Sequence, residues 1–247
     1  MMEETRRFQE KMHQVFDEMS VPVRISEVQA GLFYQFYTDL VETNKHVNLT
    51  AITEENEVII KHFADSAALL LAVKDLGVKE YSLLDLGTGG GFPGIPLAIL
   101  FPNLKLTLAD SLNKRILFIQ REAEKLGLKN INAVHGRAED LARNAAYRET
   151  FDICVSRAVA NLSTLSEYCI PFIHNEGLFI PYKSGNIEEE LKSAGNAMKI
   201  LGAKCQSICS YSLPEGSGER SLVIIKKVRT TGMKYPRKAG TPSKSPL

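Results

Sequence analysis

Residues 83–96 read LLDLGTGGGFPGIP, an apolar run that carries Asp85 and then opens into Gly87, Thr88, Gly89, Gly90 and Gly91 before Phe92 and two prolines. Glycines this dense after an apolar run let the backbone approach a bulky ligand, because no Cβ stands in the way. A pyrophosphate cradle needs G-x-G-x-x-G. Gly87 and Gly89 satisfy its first two positions, but the third falls on Phe92. The spacing that fits is G-x-G-x-G through Gly87, Gly89 and Gly91, with Phe92 as an apolar wall. Taken alone, the cluster is a weak signal, and an ordinary tight strand-to-helix turn is the alternative.

Ligands of open α/β sheets sit at the C-terminal ends of the strands, so the residues that follow each apolar run carry the chemistry. Asp110 stands 23 residues beyond Gly87, where a carboxylate accepts hydrogen bonds from ribose hydroxyls; Asp110 or Ser111 also suits a helix N-cap. Gly136-Arg137-Ala138-Glu139 offers a backbone N–H and the Glu139 carboxylate to an adenine edge, or else forms a solvated turn. Ser156-Arg157-Ala158-Val159-Ala160 follows the fourth run. An arginine only donates and is no base at neutral pH, so Arg157 suits a reaction at an atom with a ready lone pair and no proton to lose, where alignment supplies the catalysis. A surface ion pair is the alternative for it.

The elements that must position these groups follow from periodicity. Phe8, Met12, Val15, Phe16 and Met19 keep helical spacing, as do Val28, Leu32, Phe33, Phe36, Tyr37, Leu40 and Val41, with a capping box at Ser26 and Gln29. A third helix starts near Thr53 and carries Ile59, Phe63, Ala67 and Leu70. Residues 1–75 therefore read as a helical cap. From residue 76 to 228, β-rich runs at 82–86, 104–109, 131–134, 151–156, 178–182, 204–211 and 221–227 alternate with amphipathic helices, as in a parallel sheet covered on both faces. Only nine residues, SLPEGSGER, join the last two runs, too few for a crossover helix, so these should pair antiparallel. A doubly wound seven-stranded α/β sheet with one antiparallel strand, together with the G-x-G-x-G spacing, resembles the S-adenosylmethionine (SAM)-dependent methyltransferase fold. Enzymes of that fold that methylate exocyclic amines commonly carry N/D-P-P-Y after the fourth strand; this chain does not.

Composition narrows the partners. With 247 residues and 44% hydrophobic content the chain supports one sizeable core. It has no apolar run of membrane-spanning length and a polar N-terminus, MMEETRRFQEK, so no membrane partner and a cytoplasmic location are expected. Cys154, Cys169, Cys205 and Cys209 lack metal-ligand spacing and read as buried reduced thiols, with no metal site. The net charge of +1 is uneven: residues 220–247 hold eight basic and no acidic residues, leaving 22 basic against 29 acidic before them. Such a basic tail, residues 229–247, suits a polyanion, or simply keeps the chain soluble.

The chain resembles, over nearly its whole length, the bacterial small-subunit ribosomal RNA methyltransferase G family, also called glucose-inhibited division protein B. The resemblance rests on Val47-Asn48-Leu49-Thr50, on residues 61–66 (KHFADS), 84–94 (LDLGTGGGFPG) and 110–115 (DSLNKR), on Arg137-Ala138-Glu139 and Ser156-Arg157-Ala158, and on YPRKAGTP at 235–242. Thr43-Asn44 stands where members often carry Trp-Asn. The resemblance implies methyl transfer from SAM to N7 of a guanine in 16S ribosomal RNA, free or in a small-subunit precursor, by a monomer. It also implies that Gly87, Phe92, Ala138, Glu139 and Arg157 line the cofactor pocket. To these, Thr88, Gly89 and Asp110 are added as cofactor contacts and Arg157 as the catalytic group. Lys183, Arg237 and Lys238 are expected on RNA phosphate, and His62 with Asp65, one helical turn apart, as a polar link from cap to core. Two rival readings are a nicotinamide-dependent oxidoreductase, disfavoured by Phe92 and the closing hairpin, and a non-catalytic RNA-binding module with a relict pocket.

Overall fold

The computed structural model describes residues 2–157, 160–185 and 187–247. Ala158, Val159 and Asn186 lie outside them. Helices α1 (Met2–Glu18) and α2 (Glu27–Val47) open the chain, and the Ser26 capping box is formed: the Ser26 hydroxyl accepts from the Gln29 N–H, and the Gln29 side chain accepts from the Ser26 N–H. Phe8, Met12, Phe16, Phe33, Phe36 and Leu40 are buried, as their spacing requires, whereas Val28 in the first turn of α2 is 74% exposed.

The third helix departs from expectation. It starts at Glu55 because Glu54, not Thr53, is its N-cap, the Glu54 carboxylate accepting from the Glu57 N–H. It then runs as α3 (Glu55–Val58), a π-helical turn (Ile59–Ala64), α4 (Asp65–Ala67) and α5 (Leu69–Ala72). Ile59, Ile60, His62, Phe63 and Ala64 are all buried, so the apolar pattern there has no single face from which a widened turn could be read. Such π-turns favour functional sites. Here the turn aims both His62 and Asp65 inward.

The sheet comprises β1 (Ser82–Leu86), β2 (Lys105–Asp110), β3 (Ile131–His135), β4 (Phe151–Arg157), β5 (Ile173–Ser184), β6 (Ala203–Leu213) and β7 (Gly218–Lys227), in the order β3-β2-β1-β4-β5-β7-β6. The first five are parallel. β7 runs antiparallel between β5 and β6, and β6 and β7 form the expected hairpin. Its turn places Glu215 and Gly216 at φ of 55° and 66°, and two positive values are what a type I′ turn needs. β5 begins five residues earlier than its apolar run: Ile173 pairs with Phe151 and Leu178 with Ile153, and the polar His174, Asn175 and Glu176 lie in the register irregularity between them.

Alternate strand residues serve two cores, since successive side chains leave opposite faces. Leu83, Leu106, Leu108, Ile153, Val155 and Ile180 join the cap helices, α6 (Gly94–Leu100) and α7 (Asn113–Lys125) in one cluster. Leu84, Leu86, Ala109, Cys154, Phe179 and Val223 face the other, with α8 (Ala138–Leu141), α9 (Leu162–Cys169) and α10 (Glu188–Leu201). Cys154 and Cys169 are buried, but Cys205 and Cys209 are only half-buried because β6 is an edge strand.

The basic C-terminal segment is not a free cationic tail. Lys226 pairs with Glu176 at 2.6 Å, and Lys227 is completely buried, donating to Glu149 at 2.6 Å and to the Ile173 carbonyl at 2.7 Å. Arg229 donates to the Lys199 carbonyl, and Arg237 pairs with the buried Glu167. Residues 229–247 pack against α8 and α9 and close on a last turn, α11 (Thr241–Lys244), with Thr231, Tyr235 and Pro242 buried. Much of the charge that looked available to a polyanion is spent inside the fold.

Candidate active site

Two cavities meet at the C-terminal ends of β1 and β2. The larger, about 720 Å³, is lined by His62, Asp65, Phe92, Asp110, Arg157 and Lys183 among others; the smaller, about 260 Å³, lies toward β3 and includes Ala138, Glu139 and Tyr168. Gly87, Asp110 and Ser111 line both.

The glycine loop between them is held by Asp85. Its Oδ2 accepts from the Thr88 hydroxyl at 2.7 Å and the Gly94 N–H at 2.8 Å. Its Oδ1, equally buried, has no hydrogen-bond partner among the described residues, and burial pushes the group up to about 6. The loop threads Gly89 and Gly91 at φ of 60° and 93°, a region costly for side-chain-bearing residues, and a Cβ on Gly89 would project into open space. Asp110 then ties the loop to β2. Its Oδ2 accepts from the Gly89 N–H at 3.0 Å and from Arg115 at 3.2 Å, and its Oδ1 accepts from the Leu112 N–H at 2.9 Å. A carboxylate offers about four acceptor positions, so one remains open on Asp110.

Arg157 ends β4 and faces the cap. Its Nη1 donates to Asp65 Oδ2 at 2.8 Å and to the Lys61 carbonyl at 3.1 Å, its Nη2 lies 3.3 Å from His62 Nδ1, and its guanidinium carbon sits 5.3 Å from the centre of the Phe92 ring. Asp65 Oδ1 accepts from the Tyr211 hydroxyl at 2.7 Å. His62 stacks on Phe92 with ring centres 4.4 Å apart and is hydrogen-bonded through Nε2 to the Thr50 hydroxyl at 2.8 Å. Burial, and then the Arg157 charge, push His62 down to about 3, so its ring is neutral at neutral pH. Asn44 accepts from the N–H groups of Leu49 and Thr50 and thereby presents Thr50 to His62.

The structure thus brings Gly87, Thr88, Gly89, Phe92, Asp110 and Arg157 around one space, with Ala138 and Glu139 across Asp110 from it. His62 and Asp65 do link the cap to the sheet, as expected, and they also hold Arg157. Lys183 lines the larger cavity but is only 12% exposed, donating to the Ala160 carbonyl and to Glu190 at 2.6 Å. Arg237 lies away from that cavity, bonded to Glu167, so its expected place on RNA gives way to a contact within the fold; Lys238 is exposed. Ala158, part of the motif around Arg157, lies outside the described residues. Tyr211, Arg115, Arg220 and Gly240 also belong to the site and were not foreseen. Arg115 and Gly240 left a signal, inside the 110–115 and 235–242 stretches.

Among the described residues no cluster of metal-ligating side chains is present, and no helix is long and apolar enough to cross a membrane. The strand order, the antiparallel closing strand and the glycine loop define the class as the Rossmann-like fold of SAM-dependent methyltransferases. A SAM-dependent methyltransferase from Aquifex aeolicus superposes with a TM-score of 0.50 at 16% identity, covering 68% of this chain and 93% of its own. A mutant of MtNAS in complex with S-adenosylmethionine gives 0.53 at 15% identity, covering 90% and 84%.

The family is narrower than the fold. The model of the rRNA small subunit methyltransferase G family matches residues 29–223, and the chain belongs to that family. It is 49% identical over 229 residues to the ribosomal RNA small subunit methyltransferase G of Lachnoclostridium phytofermentans, covering 92% of this chain and 93% of the relative. The corresponding protein of Staphylococcus saprophyticus is 50% identical over 225 residues, covering 91% and 93%.

Proposed function

We propose that this protein transfers the methyl group of SAM to N7 of a guanine in 16S ribosomal RNA. The observation that carries the choice of atom is the absence, among the described residues lining the larger cavity, of an uncommitted base. Asp65 is held by Arg157, Asp110 by Arg115 and Glu190 by Lys183, while His62 is a buried, hydrogen-bonded ring whose basicity is suppressed. An acceptor that must first lose a proton finds no partner there; a guanine N7, with its in-plane lone pair, needs none.

The residues present fit the cofactor. The unpartnered Asp85 Oδ1 lies beneath the glycine loop, where a cationic ammonium group or a bridging water would satisfy it, and the open space over Gly89 admits a ligand against the backbone. The remaining acceptor position on Asp110 suits a ribose hydroxyl, and Gly87, Ala138 and Glu139 suit the adenine end in the smaller cavity. When bound, SAM supplies an electrophilic sulfonium methyl, and the N7 lone pair forms the new C–N bond as the C–S bond breaks, the positive charge passing to the base. Arg157 orients what lies in the larger cavity through its remaining donors, and Phe92 with His62 forms an apolar wall that keeps water from it. Lys183 and the exposed Lys238 are proposed for RNA phosphate, Lys183 by exchanging Glu190 for it.

Small subunits from a strain lacking the gene, digested and analysed for 7-methylguanosine by mass spectrometry, should lack one modified guanine that the purified protein and SAM restore. An unchanged 7-methylguanosine content in that strain refutes the assignment.

A further inference from the structure

The C-terminal segment ends against the smaller cavity. Gly240 lines that cavity beside Ala138 and Glu139, and its N–H donates to Glu139 Oε1 at 2.9 Å. Among the described residues this is the one hydrogen bond made by the Glu139 side chain. Gly240 adopts φ of 80°, a left-handed conformation that suits glycine, so the direction of this N–H depends on the turn that carries it.

That turn is set from a distance. Glu167 on α9 is completely buried, and both its oxygens are spent on Arg237: Oε1 accepts from the backbone N–H at 2.7 Å and from Nε at 3.0 Å, and Oε2 from Nη2 at 2.7 Å. A bidentate carboxylate–guanidinium pair fixes orientation as well as position. Around it, Arg143 donates to the Pro236 carbonyl, Arg148 to the carbonyls of Thr231 and Tyr235, and the Thr164 hydroxyl to the Pro242 carbonyl. The body therefore grips this segment on both sides of Gly240.

We propose that the C-terminal segment is a wall of the cofactor site, with Glu167 and Arg237 as positioning residues: they seat Gly240 on Glu139, and the adenosine end of SAM binds the seated form. This rests on the reading of the two cavities as the SAM site. It follows by linkage that SAM holds the segment down, and that loosening the segment weakens SAM.

The test combines limited trypsin digestion of the full chain with calorimetric titration. In the wild-type protein, SAM at about ten times its Kd should slow cleavage after the exposed Lys238 by about tenfold, the factor by which a ligand exclusive to the seated form suppresses the released one. Arg237→Ala should raise the Kd for SAM about tenfold or more and speed cleavage, and Arg237→Lys, which keeps the charge but loses the fork, should fall between. Cleavage that is indifferent to bound SAM overturns the proposal, as does a folded Arg237→Ala protein whose Kd stays within about twofold of wild type. Should Arg237→Ala fail to fold, protection of the wild-type segment decides alone. A wild-type protein that binds no SAM would overturn both this proposal and the proposed function, whereas normal binding without protection overturns this one only.

Discussion

Arg157→Ala should damage two properties that a second substitution pulls apart. The Arg157 side chain is 15% exposed and that of Asp65 only 4%, so alanine leaves a buried carboxylate with the Tyr211 hydroxyl as its remaining partner. Removing one side of a buried ion pair costs about 3–5 kcal/mol, and the cavity beside Asp65 lets water relieve part of it, which sets the expectation at about 3 kcal/mol. In a chain of this length that corresponds to a fall in Tm of roughly 6–12 °C. Adding Asp65→Asn removes the stranded charge and should return about 1–2 kcal/mol, because the two sites share one interaction. Methyl transfer should stay lost in both proteins, since neither restores the guanidinium over Phe92. Urea unfolding followed by circular dichroism gives the stabilities, and incorporation of labelled methyl into small subunits from a strain lacking the gene gives the activity. A double variant no more stable than Arg157→Ala, or one that transfers methyl at the wild-type rate, would show that Arg157 does not act as the structure indicates.

Two further outcomes are expected. His62 lies at about 3 in the fold against an ordinary 6.5, so the folded state favours the neutral ring; its contribution is complete above pH 6.5 and is lost as the pH falls toward 3. The stability difference between wild type and His62→Gln should therefore shrink by about 2 kcal/mol from pH 7 to pH 5, whereas Asp85, whose raised value acts in the opposite direction, is present in both proteins and cancels. A difference that stays constant across that range would rule out a buried neutral histidine. Gly94→Ala should cost about 1–3 kcal/mol through overpacking, because its Cβ would lie 2.6 Å from the buried Leu108 side chain; a midpoint of urea unfolding equal to that of wild type would mean that α6 shifts without strain.

How much was legible follows from which interactions are local. The strands, the amphipathic helices, the Ser26 cap and the β6–β7 hairpin each depend on spacing within a few residues, and such patterns survive in the sequence. So does the glycine loop, whose phase sets Phe92 where a phosphate cradle needs glycine. The π-turn at Ile59–Ala64 was illegible because all its residues but Lys61 are buried, which leaves no single apolar face to read. The start of β5 was hidden by His174, Asn175 and Glu176, polar residues in a register irregularity that separates Ile173, paired with Phe151, from the apolar run.

The sequence by itself determined the order of elements, the kind of loop that meets the ligand and the presence of an arginine after the fourth strand, because backbone conformation and amphipathicity are written residue by residue. Only the tertiary structure decided what those groups are. Tyr211 reaches Asp65 across 146 positions, and Glu167 spends itself on Arg237 across 70. Pairings of that range depend on how the sheet stacks the cap and the tail, and no local pattern encodes them. They turned a conspicuous basic tail into part of the wall beside Glu139, and an apparent cap-to-core link at His62 and Asp65 into the support that holds Arg157.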